Sequence, residues 1–317
     1  MKPKVQFSNV LGLEDAKKQF KSILLQKRIK HIYKSDLKWC TNCFLLRGPP
    51  GTGKTLLAEA VAGEFQKSDK NCRFFAPKAN NLLDKYQGGA ENKIHALFDV
   101  AKENSKRGSL SIIFIDEIEA MLQKRSESKT SSITQQFLVE LNDVLSNSNN
   151  NIIFIGAMNT SVDIDEAALN RFQIIDIPLP DYESRKNMIY NLMLTIPNSL
   201  SEEDYKSISK KTEAFSGRSI NICVTKMLGT MANKLYDARF FYEENGSFYM
   251  CEENHPNAIQ MRFDDFIFDE KIVPPLITFE DLNTEINNFL KQLKEIPKNI
   301  HILTLKIEPS NIFEKMD

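Results

Sequence analysis

The chain has 317 residues, 42% of them hydrophobic and 26% charged, and its 41 Lys and Arg against 42 Asp and Glu leave a net charge of −1. This is the composition of a globular protein with a real core, not of a disordered chain, and the balanced charge excludes a global field for holding nucleic acid or an anionic membrane. The sequence contains no apolar run near the roughly 18 residues of a membrane span, no secretory leader and, with 5 cysteines in a chain long enough to build a core, no expected disulfide framework.

Residues 1 to about 10 read as an extended polar lead-in. Leu13, Ala16, Phe20, Ile23 and Leu24 then recur at helical spacing and predict a helix from near Glu14 to near Lys30. Apolar runs at 43–46, 111–115 and 151–155, with a fourth at 73–76, predict short strands, and helical segments fit between them at 55–66, 92–104 and 133–145. Strands that lack period-2 alternation and are separated by helices imply a parallel sheet covered on both faces. Pro178 and Pro180 can continue neither a central strand nor a helix, so they divide the chain into 1–180 and 181–317. Past them, Ile220, Cys223, Met227, Met231 and Leu235 form one helical stripe, and Leu282, Ile286, Phe289 and Leu293 another. The aromatic, Asn-rich stretch 240–268 is open between a small β insertion and an irregular loop. The expected fold is α/β: a parallel sheet with flanking helices, followed by a small helical domain with a reduced insertion and a C-terminal helix.

Gly48-Pro49-Pro50-Gly51-Thr52-Gly53-Lys54-Thr55-Leu56 follows a predicted strand and opens a predicted helix. That is the context in which a glycine-rich loop turns its backbone N–H groups onto a polyphosphate, with Lys54 on the β- and γ-phosphates and the Thr55 hydroxyl on Mg²⁺. An apolar strand ending in Asp116 and Glu117 brings two carboxylates to the same sheet edge: Asp116 for Mg²⁺, Glu117 as general base toward water. Asn159, after the next strand, reads either as an amide that orients the attacking water or as a turn residue. Cys40-Thr41-Asn42-Cys43 has metal-knuckle spacing without a second pair and is read as structural. The basic run Lys27-Arg28-Ile29-Lys30-His31 is read as the solvated last turns of the first helix.

Taken in order, the phosphate loop, the strand ending in Asp116-Glu117, Gly156-Ala157-Met158-Asn159 and Leu169-Asn170-Arg171-Phe172 resemble the AAA ATPases. Asn9-Val10-Leu11-Gly12 resembles that family's adenine-contacting lead-in, and Phe215-Ser216-Gly217-Arg218 the segment of the small lid domain that closes over the nucleotide. The likeness extends to the meiotic clade and, through Asn257-Ala258-Ile259-Gln260-Met261, Phe263-Asp264-Asp265 and Pro275-Leu276-Ile277-Thr278-Phe279, to its vacuolar protein sorting branch. The resemblance implies Leu11, Gly12 and Gly217 at the nucleotide, Arg171 reaching a neighbour's γ-phosphate, and Lys85-Tyr86-Gln87 gripping substrate in the pore of a nucleotide-dependent homo-hexamer. It further implies ESCRT-III-like filament substrates, an activating cofactor protein, no direct nucleic-acid partner, and a cytoplasmic place at endosomal membranes reached through partners. Relatives of this branch carry an N-terminal microtubule-interacting-and-trafficking domain, whereas this sequence starts almost at the ATPase core. Asn170 and Ser131-Ser132 stand where relatives have arginines, Met158 stands for Thr and Ser219 for Asp. Two further readings follow: a microtubule-severing ATPase with the same chemistry, and a weakly active nucleotide-binding structural subunit of a mixed ring.

Overall fold

Residues 5–33, 42–83, 89–122, 128–146, 151–159, 164, 166–266 and 271–295 are described in the computed structural model. The chain forms two units that meet in sequence between Leu179 and Pro180.

The first unit runs α1 (Glu14–Tyr33), β1 (Cys43–Arg47), α2 (Lys54–Ser68), β2 (Arg73–Phe75), α3 (Ala79–Leu82), α4 (Gly89–Lys106), β3 (Ser111–Ile115), α5 (Glu119–Leu122), α6 (Ser128–Ser146), β4 (Ile152–Met158), α7 (Glu166–Leu169) and β5 (Gln173–Asp176). Its strands form one five-stranded parallel sheet in the order β2-β3-β4-β1-β5. The α/β parallel sheet expected from the unalternating apolar runs is therefore present. Successive residues of β1 feed opposite faces. Phe44 and Leu46 pack with Phe20 of α1 and Leu57, Val61 and Phe65 of α2, while Leu45 packs with Phe98 of α4 and Phe137 and Leu141 of α6. The Phe98, Phe137 and Phe154 rings lie 5.5–6.2 Å apart, within the range of favourable aromatic contact.

Three expectations are corrected. The lead-in is not simply polar and extended: it contains a short 3-10 turn, Phe7–Asn9, and buries Phe7 and Val10 against the α2 face. It lies close because Gly63 has no side chain; a Cβ there would stand 2.0 Å from the Val5 carbonyl oxygen. The fourth strand continues through Gly156 and Ala157 to Met158, where a glycine had ended the apolar reading. Residues 173–176 form an edge strand that the pattern did not suggest, since only Ile175 among them is buried.

The second unit contains α8 (Tyr182–Met193), α9 (Glu202–Lys211), α10 (Gly217–Asp237), β6 (Phe240–Glu244), β7 (Ser247–Met250), β8 (Ile259–Gln260), β9 (Lys271–Val273) and α11 (Phe279–Glu295). Its core joins Ile189 and Met193 of α8, Ile208 of α9, Val224 and Met227 of α10, and Leu282 and Ile286 of α11. Ser201 starts α9 with a reciprocal capping box to Asp204, satisfying N–H groups that a helix start leaves open. The aromatic stretch takes the β option. β6 and β7 form an antiparallel hairpin, with β8 added antiparallel to β6 and β9 parallel to β7. The fully buried Phe241 and the half-buried Phe248 both contact the Phe266 ring, at 4.8 and 5.1 Å.

Candidate functional site

At the carboxyl edge of the sheet, β1, β3 and β4 end side by side: Arg47 pairs with Met158 and Ile115 with Gly156. The segments that follow them, 48–55, 116–119 and residue 159, are therefore brought together by register alone. Gly51 and Gly53 take left-handed φ values of 77° and 94°, open to glycine at little steric cost. Gly48 is needed for another reason: a Cβ there would lie 2.0 Å from the Ile177 carbonyl oxygen. Thr52 Oγ1 donates to the Pro49 carbonyl at 2.9 Å and braces the loop from within. Helix α2 starts at Lys54 without a side-chain cap, which leaves its first N–H groups for a ligand. Thr55 and Leu56, on its first turn, are exposed.

Lys54 is buried, and its Nζ donates to the Gly48 carbonyl at 2.7 Å, the Pro49 carbonyl at 2.9 Å and Asn159 Oδ1 at 3.1 Å. Burial pulls its ammonium pKa below the ordinary value, while the negative charges of Asp116 and Glu119 hold it up. Thr55 Oγ1 donates to Asp116 Oδ2 at 2.6 Å, so a hydroxyl and a carboxylate already converge at one point. Asp116 Oδ1 accepts the Glu117 N–H at 3.0 Å.

Glu117 itself has a φ of 53°, uncommon for a residue with a side chain. That turn buries Ile118 and leaves the Glu117 carboxylate exposed at the sheet edge. Ile118 fits because β4 has glycine opposite; a Cβ on Gly156 would come within 2.9 Å of Ile118 Cδ1.

Two side chains that spacing had not singled out contact the expected residues, Glu119 beside the phosphate loop and Asn142 at Arg171. Glu119 is buried, and its Oε1 accepts from the Asn159 backbone N–H at 3.3 Å and from Asn159 Nδ2 at 3.2 Å. Burial pushes its carboxyl above the usual range, against its own backbone N–H, the Asn159 backbone N–H and the charge of Lys54, with Glu117 adding to the shift. Asn142, on α6, accepts from Arg171 Nε at 2.9 Å. The only signal for Glu119 in the sequence was an acid set among the apolar residues Ile118, Met121 and Leu122. Asn142 gave none.

Leu11 and Gly12, half-buried, lie on the lead-in that packs beside α2. Pro50 is exposed in the phosphate loop. Arg171 precedes β5, so it belongs to the opposite, amino-terminal edge of the sheet. Through the pairing of Phe44 with Gln173 it is level with Asn42, about 20 Å along β1 from Gly48 at roughly 3.3 Å per residue. The sheet thus does not bring Arg171 to its own chain's phosphate loop. Gly217 is the first residue of α10 in the second unit, where Ser216 caps the helix by accepting the Ser219 N–H. Lys85, Tyr86 and Gln87, like Cys40, lie outside the described residues. Cys43 is buried in β1 and its thiol is pushed up to about 12 by burial, in keeping with a structural cysteine.

The donor set fits a magnesium nucleotide. Mg²⁺ is held in such sites by one or two protein oxygens, with phosphate oxygens and water completing its shell, and Thr55 and Asp116 are the two that would hold it here. Among the described residues no three His, Cys, Asp or Glu side chains converge as a self-sufficient metal site. None of the described helices is long and apolar enough to cross a membrane.

A strand, a glycine loop with Lys-Thr and a helix, beside a strand that ends in Asp-Glu, define a nucleoside-triphosphate-binding protein of the phosphate-loop class. Within that class, residues 44–179 match the family described as ATPase family associated with various cellular activities (AAA), so the chain carries an AAA ATPase domain. It is similar to Protein SUPPRESSOR OF K(+) TRANSPORT GROWTH DEFECT 1 of Arabidopsis thaliana, at 34% identity over 88% of this chain and 64% of that protein. It is also similar to Vacuolar protein sorting-associated protein 4B of Pongo abelii, at 33% identity over 90% of this chain and 66% of that protein. The chain thus spans a little under two thirds of the length of these curated relatives. Among solved structures, the FIGL-1 AAA domain in complex with ADP superposes with a TM-score of 0.68 at 24% identity, covering 98% of this chain and 89% of that one, a likeness of fold.

Proposed function

We propose that the chain is a Mg²⁺-dependent ATP hydrolase that works as a homo-hexameric ring and takes apart protein assemblies by drawing polypeptide through its pore. The observation that carries the hydrolytic reading is the convergence of Lys54, Thr55, Asp116 and Asn159 beside the exposed carboxylate of Glu117. Lys54 leaves the loop carbonyls for the β- and γ-phosphates, where its charge offsets theirs. Thr55 and Asp116 hold the cation, which when bound neutralises charge on the phosphate oxygens. Glu117 takes a proton from the attacking water, and Asn159 orients that water. Leu11 and Gly12 contact the base, and Gly217 belongs to the lid segment. The placement of Arg171 away from its own phosphate loop supports a finger offered to a neighbouring subunit. Lys85, Tyr86 and Gln87 are the pore grip in this reading.

Similarity to vacuolar protein sorting-associated proteins supports ESCRT-III-like filaments as the substrate, an activating cofactor protein as a partner, and a place on the cytoplasmic side of endosomal membranes. The test is capture of tail peptides by the Glu117→Gln chain in ATP. The expected result is retention of ESCRT-III tails and not of tubulin tails; tubulin retention alone would move the assignment to microtubule severing.

A further inference from the structure

Glu119 has no part in the chemistry above, yet it is placed as though for the site. It opens α5 two residues after Glu117, is 8% exposed, and keeps Oε2 buried without a hydrogen-bond partner among the described residues. A carboxyl held only for packing is poorly chosen for such a spot, since a buried polar atom without a partner costs stability that Leu or Met would not. Its other oxygen is fully used: Oε1 accepts both the backbone and the side-chain N–H of Asn159.

We propose that Glu119 is a positioning residue that fixes the Asn159 side-chain amide with its oxygen toward the phosphate loop. An amide has two faces, an acceptor oxygen and a donor NH₂, related by a half-turn about one bond. Lys54 Nζ, which has only donors, meets the oxygen at 3.1 Å, and Glu119 Oε1 meets the NH₂ at 3.2 Å. When a nucleotide draws Lys54 away, the first restraint is lost and the Glu119 bonds remain. Asn159 then still presents an acceptor, which takes an O–H of the attacking water and leaves that water's lone pair for the phosphorus. Without Glu119 the amide is free to turn its NH₂ forward, and a donor there would engage the lone pair that must attack. This inference rests on the hydrolytic reading above.

The test uses the full chain with Glu119→Leu, which removes the acceptor while keeping an apolar volume in the buried site. The expected result is kcat down at least tenfold, with ATP affinity within about threefold of wild type and an unchanged or higher Tm, a combination that loss of packing would not give. Glu119→Gln, whose amide oxygen can replace Oε1, restores kcat to within about threefold. In the Asn159→Ala background, Glu119→Leu adds less than a twofold loss, because it acts through Asn159. A readout independent of turnover is the Asn159 side-chain NH₂ pair in the NMR spectrum of the nucleotide-free chain, identified by its disappearance in Asn159→Ala. Its exchange with water is expected to be at least tenfold faster in Glu119→Leu than in wild type. Should Glu119→Leu not fold, Glu119→Ala serves the same comparisons. An active wild type, an inactive Glu117→Gln and an unchanged Glu119→Leu would overturn the inference alone, as would multiplicative losses in the double variant. A wild-type chain that hydrolyses no ATP would overturn the hydrolytic reading and this inference with it.

Discussion

Glu117 is exposed with a φ of 53° while Ile118 and Glu119, directly after it, are buried. Backbone held in this sparsely populated region clusters at functional turns. Glu117→Gln keeps shape and hydrogen-bonding reach but removes the proposed base. It should lower kcat about 10²–10⁴-fold, the usual span for general base catalysis, with ATP binding intact by a fluorescent-nucleotide titration. The turn depends on a residue in another strand. Gly156→Ala would drive a methyl into Ile118 Cδ1 and Leu45 Cδ1, at 2.9 and 3.2 Å. Overpacking of that kind costs about 1–3 kcal/mol, so the urea midpoint should fall, and displacement of Ile118 should lower activity beyond the loss in folded protein. Lys54, Thr55, Asp116 and Glu117 were legible in the sequence because each lies a fixed number of residues from a glycine loop or a strand end. Glu119 and Asn142 were not, because their contacts bridge 40 and 29 residues and no local spacing encodes them.

At the scale of elements, α4 and α6 are joined by a charged network. Glu140, buried on α6, accepts from Lys102 Nζ at 2.8 Å and pairs with His95 Nδ1 at 2.6 Å, while Lys102 also meets Asp143 at 2.7 Å and His95 Nε2 meets Asp99 at 3.2 Å. The hydrogen bond to Glu140 and the charges of Asp99 and Glu140 raise the His95 pKa above its ordinary 6.5, against the opposing charge of Lys102. A folded pKa above the unfolded one gives stability that is complete below about pH 6.5 and is lost as pH rises through the higher folded value. His95→Gln should therefore destabilise the chain more at pH 6 than at pH 8.5 in thermal melts, and an equal loss at both would contradict the assignment.

Helices α1, α2, α4, α6, α10 and α11 were legible as helical segments and β1 to β4 as short apolar runs, whereas α3, α5, α7, α8 and α9 were not singled out. Nor was β5, being an edge strand with two apolar residues between Gln173 and Asp176. The hairpin in 240–268 carries its own mark, Asn245-Gly246 with φ of 51° and 72°, the pair that a tight two-residue turn between twisted strands demands. Aromatic composition obscured it.

At the scale of the whole molecule, the proposed function couples chemistry to assembly. The phosphate loop, Asp116 and Glu117 gather at one sheet edge, and Arg171 leads into β5 at the other, docked on Asn142. Under the proposed function, such a chain holds most of a hydrolytic site and lends Arg171 to a neighbour. A finger supplied in trans is worth about 10³–10⁵ in turnover, so Arg171→Ala should leave ATP affinity intact and remove most of the activity. Mixing Arg171→Ala with Glu117→Gln chains should recover part of it, because Glu117→Gln subunits lend their fingers to intact bases. The most direct measurement is steady-state ATP hydrolysis per chain across a series of protein concentrations. A ring-forming hydrolase gives a specific activity that rises cooperatively with concentration and is lost in Glu117→Gln; a rate that stays flat and negligible up to the highest concentration would contradict the proposed function.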